Sequence, residues 1–444
     1  MLDYKKSFGA LLGNTMQFYD FTLYAFLAPQ IKQTFFDFDN TYLSYLVVFG
    51  VFACGYLTRP IGALLFGYLG DKKGRSYSLS MTIILATVTT FLIGLIPGYN
   101  ALGLLSPALL LLLRLIQGIA VSGEEGSAVV LLFERYAFQH QRIIGAAVLS
   151  SVFVGLLLGI VVCVMTEQLV SHHILNEWFW RLPFLLALPL GGIAAYLRYY
   201  LNDFNLFALA EKNNLVVKKP VRSLLKKYWP TIIFGFFVVA SYSVTTSTII
   251  VHLPYYLTTI LGYSQIDSLL VLSLAIILMM LLSPLFAKFF EQFPVFEVYK
   301  WAILGTIVLS PWIFYMFESG SMVCVMISIA LFSILTAIIT STIFALLVTA
   351  FPFGIRCSGV SLSFNLSITV FSSSTPIVLL CVEHHFASNY APGLYLSGLL
   401  SVFLLATSWL RRTSWVDLNT TQDEALLYQT HWNNFYTRVN HDNI

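Results

Sequence analysis

Twelve times along the 444-residue chain, an apolar run of about 20 residues or more gives way to a polar turn. The runs lie at roughly 9–31, 43–70, 77–97, 102–133, 143–167, 180–201, 229–258, 265–290, 297–317, 321–350, 355–383 and 391–411. Each is long enough to cross a bilayer as an α-helix, and the longer ones are expected to tilt or protrude. The pattern predicts an all-α integral membrane protein with twelve transmembrane helices. The longest polar break, Asn202 to Tyr228, divides the runs six and six. The expected organisation is an N-terminal half (1–201), a cytoplasmic linker (202–228), a C-terminal half (229–411) and a polar cytoplasmic tail (412–444). Two six-helix halves built from three-helix repeats are a layout of secondary transporters.

Composition supports the membrane reading. Only 10% of residues are charged and 58% are hydrophobic, against about 25% charged in soluble domains. Cys54, Cys163, Cys324, Cys357 and Cys381 all fall in or beside apolar runs without paired spacing, so they read as small buried residues. The first run lacks a small-residue cleavage site and is expected to be retained as a helix. Charge placement sets the topology. With the N-terminus in the cytoplasm, 20 of the 24 Lys and Arg residues fall in cytoplasmic segments, and only Lys32 and Arg181 fall outside. Both termini are therefore expected in the cytoplasm, with the protein in a bacterial inner membrane. The expected contacts are membrane lipid and a small solute, with no nucleic acid, no cofactor and a monomeric working unit. No phosphate loop, metal spacing or Ser/His/Asp set is evident, which argues against an ATP-driven pump or an enzyme.

Arg59 and Arg114 remain inside runs, where charge is costly and usually functional. In the first run, Asn14, Gln17, Asp20 and Tyr24 recur at helical spacing and share a face. Asp20 there is either a proton site or a neutral group bonded to Gln17 and a backbone carbonyl. In the fourth run, Arg114, Gln117, Val121 and Glu124 share a face, with Glu125 about 100° round. Arg114 and Glu124 lie about 15 Å apart along the axis, so each needs a partner on another helix. In the seventh run, Tyr242 and Tyr256 are fourteen residues apart on one helical face, and Pro254 can open the helix beside them. His252 reads more simply as a plain polar residue near the outer surface. Asn365 and the Ser372–Thr375 cluster, beside Pro376, line a cavity or satisfy one another. Gly155 and Gly159 suggest close helix packing in the fifth run.

The turn between the second and third runs is the most specific signal. RPIGALLFGYLGDKKGRS, Arg59 to Ser76, leaves the membrane, turns within about five residues and re-enters. Gly67, Asp71, Lys72, Gly74 and Arg75 resemble the helix 2–3 signature of the major facilitator superfamily, G-x-x-x-D-R/K-x-G-R. Arg114, Gln117 and Gly118 resemble its helix 4 signature. The stretches Gly13–Phe36, Arg114–Tyr136, Trp178–Leu201 and Phe351–Pro376 are similar to the metabolite:proton symporter branch, which includes proline/betaine, dicarboxylate, citrate and shikimate transporters. The resemblance implies proton symport of an organic acid or a zwitterion by alternating access. With that function, the buried polar positions are expected to supply proton coupling by Asp20, Glu124 or Glu125, and solute contacts from Gln17, Tyr24, Arg114, Gln117, Tyr242 and Asn365. The resemblance also implies an inner gate of Gly67, Asp71, Gly74, Arg75, Glu134 and Arg356, with Asp71 at the N-terminus of helix 11. Three departures stand out. Gln17 replaces the branch's helix 1 glutamate. Asn202–Phe207 replaces its acid-Thr-Pro step. The turn between runs 8 and 9, Phe286 to Lys300, lacks the Asp and the Gly-Arg of a second signature copy. Gln17 keeps two alternatives open, a proton-independent facilitator or exchanger and a transport-deficient solute receptor.

Overall fold

The computed structural model describes residues 4–36, 41–135, 140–199, 217, 219–317, 321–386 and 390–412. The Asn202–Phe207 departure, most of the linker and the tail beyond Arg412 lie outside the described residues. Among the described residues, eleven helices are long and apolar enough to cross a membrane. The helix Tyr4–Phe26 completes the twelve spans. Asn14, Gln17 and Asp20 lower its hydropathy, which sets it apart from the other eleven.

Span 1 (Tyr4–Phe26) ends earlier than its apolar run, because the chain turns at Leu27 and restarts as Ala28–Phe35. Span 2 comprises Thr41–Leu57 and Arg59–Lys73, span 3 Arg75–Leu95, and span 4 Leu105–Ser122 and Glu124–Arg135. Span 5 is Gln141–Ser171 and span 6 Leu182–Tyr199. After the amphipathic helix Pro220–Lys227, span 7 runs from Trp229 to Ile260, span 8 is Gln265–Phe289, span 9 Val295–Phe317 and span 10 Met322–Thr349. Span 11 comprises Phe353–Ile355, Arg356–Ser367, Ile368–Ser372 and Ser373–Phe386, and span 12 is Ala391–Arg412. Because successive spans alternate in direction, Lys72, Lys73, Arg75, Arg142, Lys288, Arg356 and Arg411 gather at one end of the bundle, here termed the basic end.

Prolines shape the interior. A proline inside a helix frees the carbonyl four residues earlier, which then needs another donor. Three neighbouring hydroxyls fill this role. Thr369 Oγ1 donates to Tyr56 O (3.0 Å) beneath Pro60, Ser247 Oγ to Ser372 O (2.9 Å) beneath Pro376, and Ser397 Oγ to Ile307 O (2.6 Å) beneath Pro311. Each break thus becomes a bond between helices. Span 7 widens into π-turns at Thr248–His252 and Tyr256–Ile260 around Pro254, and span 11 does so at Ile368–Ser372.

The π-turn between Tyr242 and Tyr256 also breaks the shared face expected from their spacing. Tyr256 turns into a ring cluster with Phe314 (6.0 Å) and Phe317 (5.6 Å) of span 9. Tyr242 stays 6.2 Å from Phe364 of span 11. Gly155 packs against Thr15 and Phe18 of span 1, in line with the close packing expected in span 5.

Candidate functional site

The basic end is tied together across the two halves. Span 2 reaches Lys73 and turns through Gly74, whose φ of 102° favours glycine, directly into Arg75. The turn aims Asp71 at the first turn of span 11, where backbone N–H groups lack intrahelical partners. Cys357 N donates to Asp71 Oδ1 (3.0 Å), and Ser358 N (2.9 Å) and Ser358 Oγ (2.6 Å) donate to Oδ2. The helix dipole favours an anion at this position. Gly67 permits the approach, since a Cβ there would lie 2.7 Å from Ser358 Cα.

Arg75 fans out beside it. It donates to Gly70 O (3.0 Å), to Glu134 Oε1 (3.0 Å) and to Phe353 O (3.1 Å), lies 3.7 Å from Asp71 Oδ1 and stacks over the Phe353 ring. Arg356 approaches Glu134 Oε1 at 3.6 Å and donates through Nε to Phe351 O (3.0 Å). The six residues expected at the gate therefore sit in one network, with Asp71 and Arg75 almost fully buried. Further in, Asn365 donates to Ser122 O of span 4 and to Ser361 O, both at 2.9 Å. Asn365 is thus a strut between the halves, and its amide oxygen has no hydrogen-bond partner among the described residues.

Deeper in the N-terminal half, Arg114 and Gln117 join span 1 to span 3. Arg114 donates to Gln117 Oε1 (2.6 Å), and Gln117 donates to Thr90 Oγ1 (2.7 Å) and to Asp20 O (3.2 Å). The Arg114 guanidinium lies over the Tyr24 ring (4.4 Å) and the Phe52 ring (5.2 Å), and Tyr24 OH donates to Val48 O (3.1 Å). Arg114 therefore meets rings on spans 1 and 2, partners on other helices of the kind its position called for. Asp20 is buried with Thr90 as its side-chain neighbour, and the bond to Gln17 that one of its two readings required is not made. Gln17 itself is 1% exposed, and among the described residues neither end of its amide has a hydrogen-bond partner.

At the centre, Gly123 interrupts span 4 and lets Glu124 and Glu125 begin a new helix. Thr82 Oγ1 of span 3 donates to Glu124 Oε2 (2.8 Å). Glu125 is 1% exposed, its charged neighbours are Arg59 and Glu124, and its Oε2 has no hydrogen-bond partner among the described residues. Arg59 lies over the Tyr56 ring (4.6 Å), and Tyr242 of the other half lies within the field of Glu125 and Arg59. Spans 2, 4 and 7 thus bring a carboxylate pair, a guanidinium and two tyrosines together at the meeting of the halves.

One pair escaped the sequence. His252 Nε2 lies 2.9 Å from Glu383 Oε1, with the two side chains 1% and 8% exposed. The imidazole is therefore an ion-pair or hydrogen-bond partner joining spans 7 and 11, and the reading of a plain surface polar residue is corrected. Glu383 near the end of an apolar run was the available signal.

A twelve-helix bundle joined at one end by an ionic network, with buried charge at its centre, defines a membrane solute transporter. Residues 10–376 match the Major Facilitator Superfamily. The chain belongs to that family and is a transporter, not an enzyme. It is 29% identical over 417 residues to the glycine betaine/proline/ectoine/pipecolic acid transporter OusA of Dickeya dadantii, covering 91% of this chain and 82% of OusA. It is 28% identical to the proline/betaine transporter of Escherichia coli K12, covering 91% and 83%. The fold matches the proton:xylose symporter XylE with a TM-score of 0.73, at 15% identity over 90% of this chain and 94% of XylE. A partially occluded, inward-open form of E. coli XylE matches with a TM-score of 0.66, at 14% identity over 93% and 97% of the two chains.

Proposed function

We propose that the protein takes up a small zwitterion of the proline or betaine type together with protons, by alternating access between the halves 1–201 and 229–411. The reading rests on the central cluster of Glu124, Glu125, Arg59, Tyr56 and Tyr242, together with the solutes named for its relatives. A zwitterion needs a cation for its carboxylate and an anion or ring face for its ammonium, and this cluster offers both within one buried space. Glu125 is the preferred proton carrier because one of its oxygens has no hydrogen-bond partner in a dry setting. Asp20 and Glu124 each have a threonine partner, so they are second choices. Gln17, with its unpartnered amide, and Tyr242 are the preferred solute contacts; Tyr24, Arg114 and Gln117 hold spans 1 to 4 in register behind them.

The basic end is read as cytoplasmic under the positive-inside rule, with both termini on that side of a bacterial inner membrane. On this reading the Asp71–Arg75–Glu134–Arg356 network is the inner gate, closed here, so the arrangement faces outward. The working unit is a monomer surrounded by lipid. One observation favours a second reading: an amide at position 17, where the branch has a carboxylate, suits a proton-independent exchanger.

Uptake of a panel of labelled zwitterions and carboxylates into proteoliposomes separates the readings. Accumulation of zwitterions that requires an inward proton gradient and fails in Glu125→Gln supports symport. Exchange indifferent to both supports the alternative.

A further inference from the structure

The missing second copy of the loop signature leaves a question of packing. The turn between spans 8 and 9 occupies the place, in the C-terminal half, that the Asp71 turn occupies in the N-terminal half. It lacks the aspartate that, in the first copy, caps the backbone N–H groups at the start of the facing helix, here span 5, the counterpart of span 11. Yet spans 5 and 8 pack closely against each other.

The contact is made with reversed polarity. Arg142 is the second residue of span 5 and is 6% exposed. Its Nη1 donates to Phe290 O and its Nη2 to Phe293 O (2.6 Å), both in the 8–9 turn. These carbonyls lie just past the end of span 8, which finishes at Phe289, where the helix dipole is negative. Glu291 adds a formal negative charge nearby. The turn is held in shape by Phe290 N donating to Phe286 O (2.9 Å) and Phe293 N to Phe290 O (3.0 Å), and by the rings of Phe286, Phe290 and Phe293. A planar guanidinium can reach two carbonyls at once, which a lysine ammonium does less well.

We infer that Arg142 is a positioning residue for the transport cycle, a second latch that closes the inner gate alongside Asp71. It takes over the role left by the absent second signature. Where Asp71 carries negative charge from a turn to a helix start, Arg142 carries positive charge from a helix start to a turn. Both cross between the halves at the same end, so both must release before that end can open. The inference rests on the gate reading above.

Cys357 is fully buried beside Asp71 and reports on gate opening. In full-length protein with Cys54, Cys163, Cys324 and Cys381 changed to serine, its labelling by an impermeant maleimide is followed in inside-out vesicles. Arg142→Ala removes both of its hydrogen bonds and is expected to raise the labelling rate at least about tenfold. Arg142→Lys should give an intermediate rate, and Arg142→Ala combined with Asp71→Asn should exceed either alone. A merely structural arginine would lower the amount of folded protein without speeding Cys357 labelling in what remains. Unchanged labelling in folded Arg142→Ala and Arg142→Lys, with Asp71→Asn still raising it, overturns the latch and leaves the gate reading intact. No rise in any of the three overturns the gate reading itself.

Discussion

Replacing Asp71 by asparagine removes charge from the gate with almost no change in volume. The aspartate accepts three hydrogen bonds from the start of span 11, at 3.0, 2.9 and 2.6 Å. Asparagine has one acceptor oxygen, so at least one backbone N–H, of Cys357 or Ser358, would face an amide NH2 group instead. A hydrogen bond to a charged group contributes about 1.5–3 kcal/mol. Arg75 keeps Glu134 and Phe353 O, so loss of its 3.7 Å contact with Asp71 adds little. The expected shift is about 1.5–3 kcal/mol toward the open inner gate, roughly ten- to 150-fold in the closed-to-open ratio. Spin labels at Lys73 and Lys288, exposed positions of the two halves at this end, report that ratio as a distance distribution. In Asp71→Asn the longer-distance population should grow to match. An unchanged distribution in folded protein would refute the claim that Asp71 holds the gate.

Four further outcomes follow from the same physics. Gly74→Ala forces a side chain onto a φ of 102° and should lower stability by about 1 kcal/mol or more, read as a lower melting temperature in detergent. Glu383→Gln strips the charge from one partner of the buried His252 pair and should cost up to about 3–5 kcal/mol; a thermal-melt cycle should find His252→Gln with Glu383→Gln less destabilised than the sum of the single changes. Thr369→Val leaves the Tyr56 carbonyl without its hydroxyl donor and should cost about 1–3 kcal/mol in the same assay. Arg114→Lys keeps the charge but loses the planar stack on Tyr24 and Phe52, and should slow uptake more than it alters solute affinity, read from Vmax and KM.

How much of this was legible depended on whether the partners lie close together in sequence. The hairpin from Gly67 to Arg75 packs glycine, acid and base into nine residues, and its approach to span 11 was implied by the family resemblance, with the positive end of a helix as the physical reason. The span count followed from the apolar runs, although the end of span 1 at Leu27 did not, because Leu27 and Ala28 continue an apolar pattern across the break. Arg142 carried no signal because its acceptors are backbone carbonyls, which no residue type marks. His252 and Glu383 are 131 positions apart, and each alone looks like a stray polar group. The shared face of Tyr242 and Tyr256 was a correct count on a regular helix, and the π-turn at Thr248–His252 moved the register. Gln17 was noticed as a departure, but only packing reveals that its amide is buried without a partner.

The most direct test of the central claim is accumulation of labelled proline and glycine betaine by purified protein in liposomes, with an inward proton gradient and then with the gradient collapsed. Accumulation above equilibrium is expected only with the gradient, and is expected to be lost in Glu125→Gln. Accumulation without the gradient, or full gradient-driven uptake in Glu125→Gln, would contradict that claim.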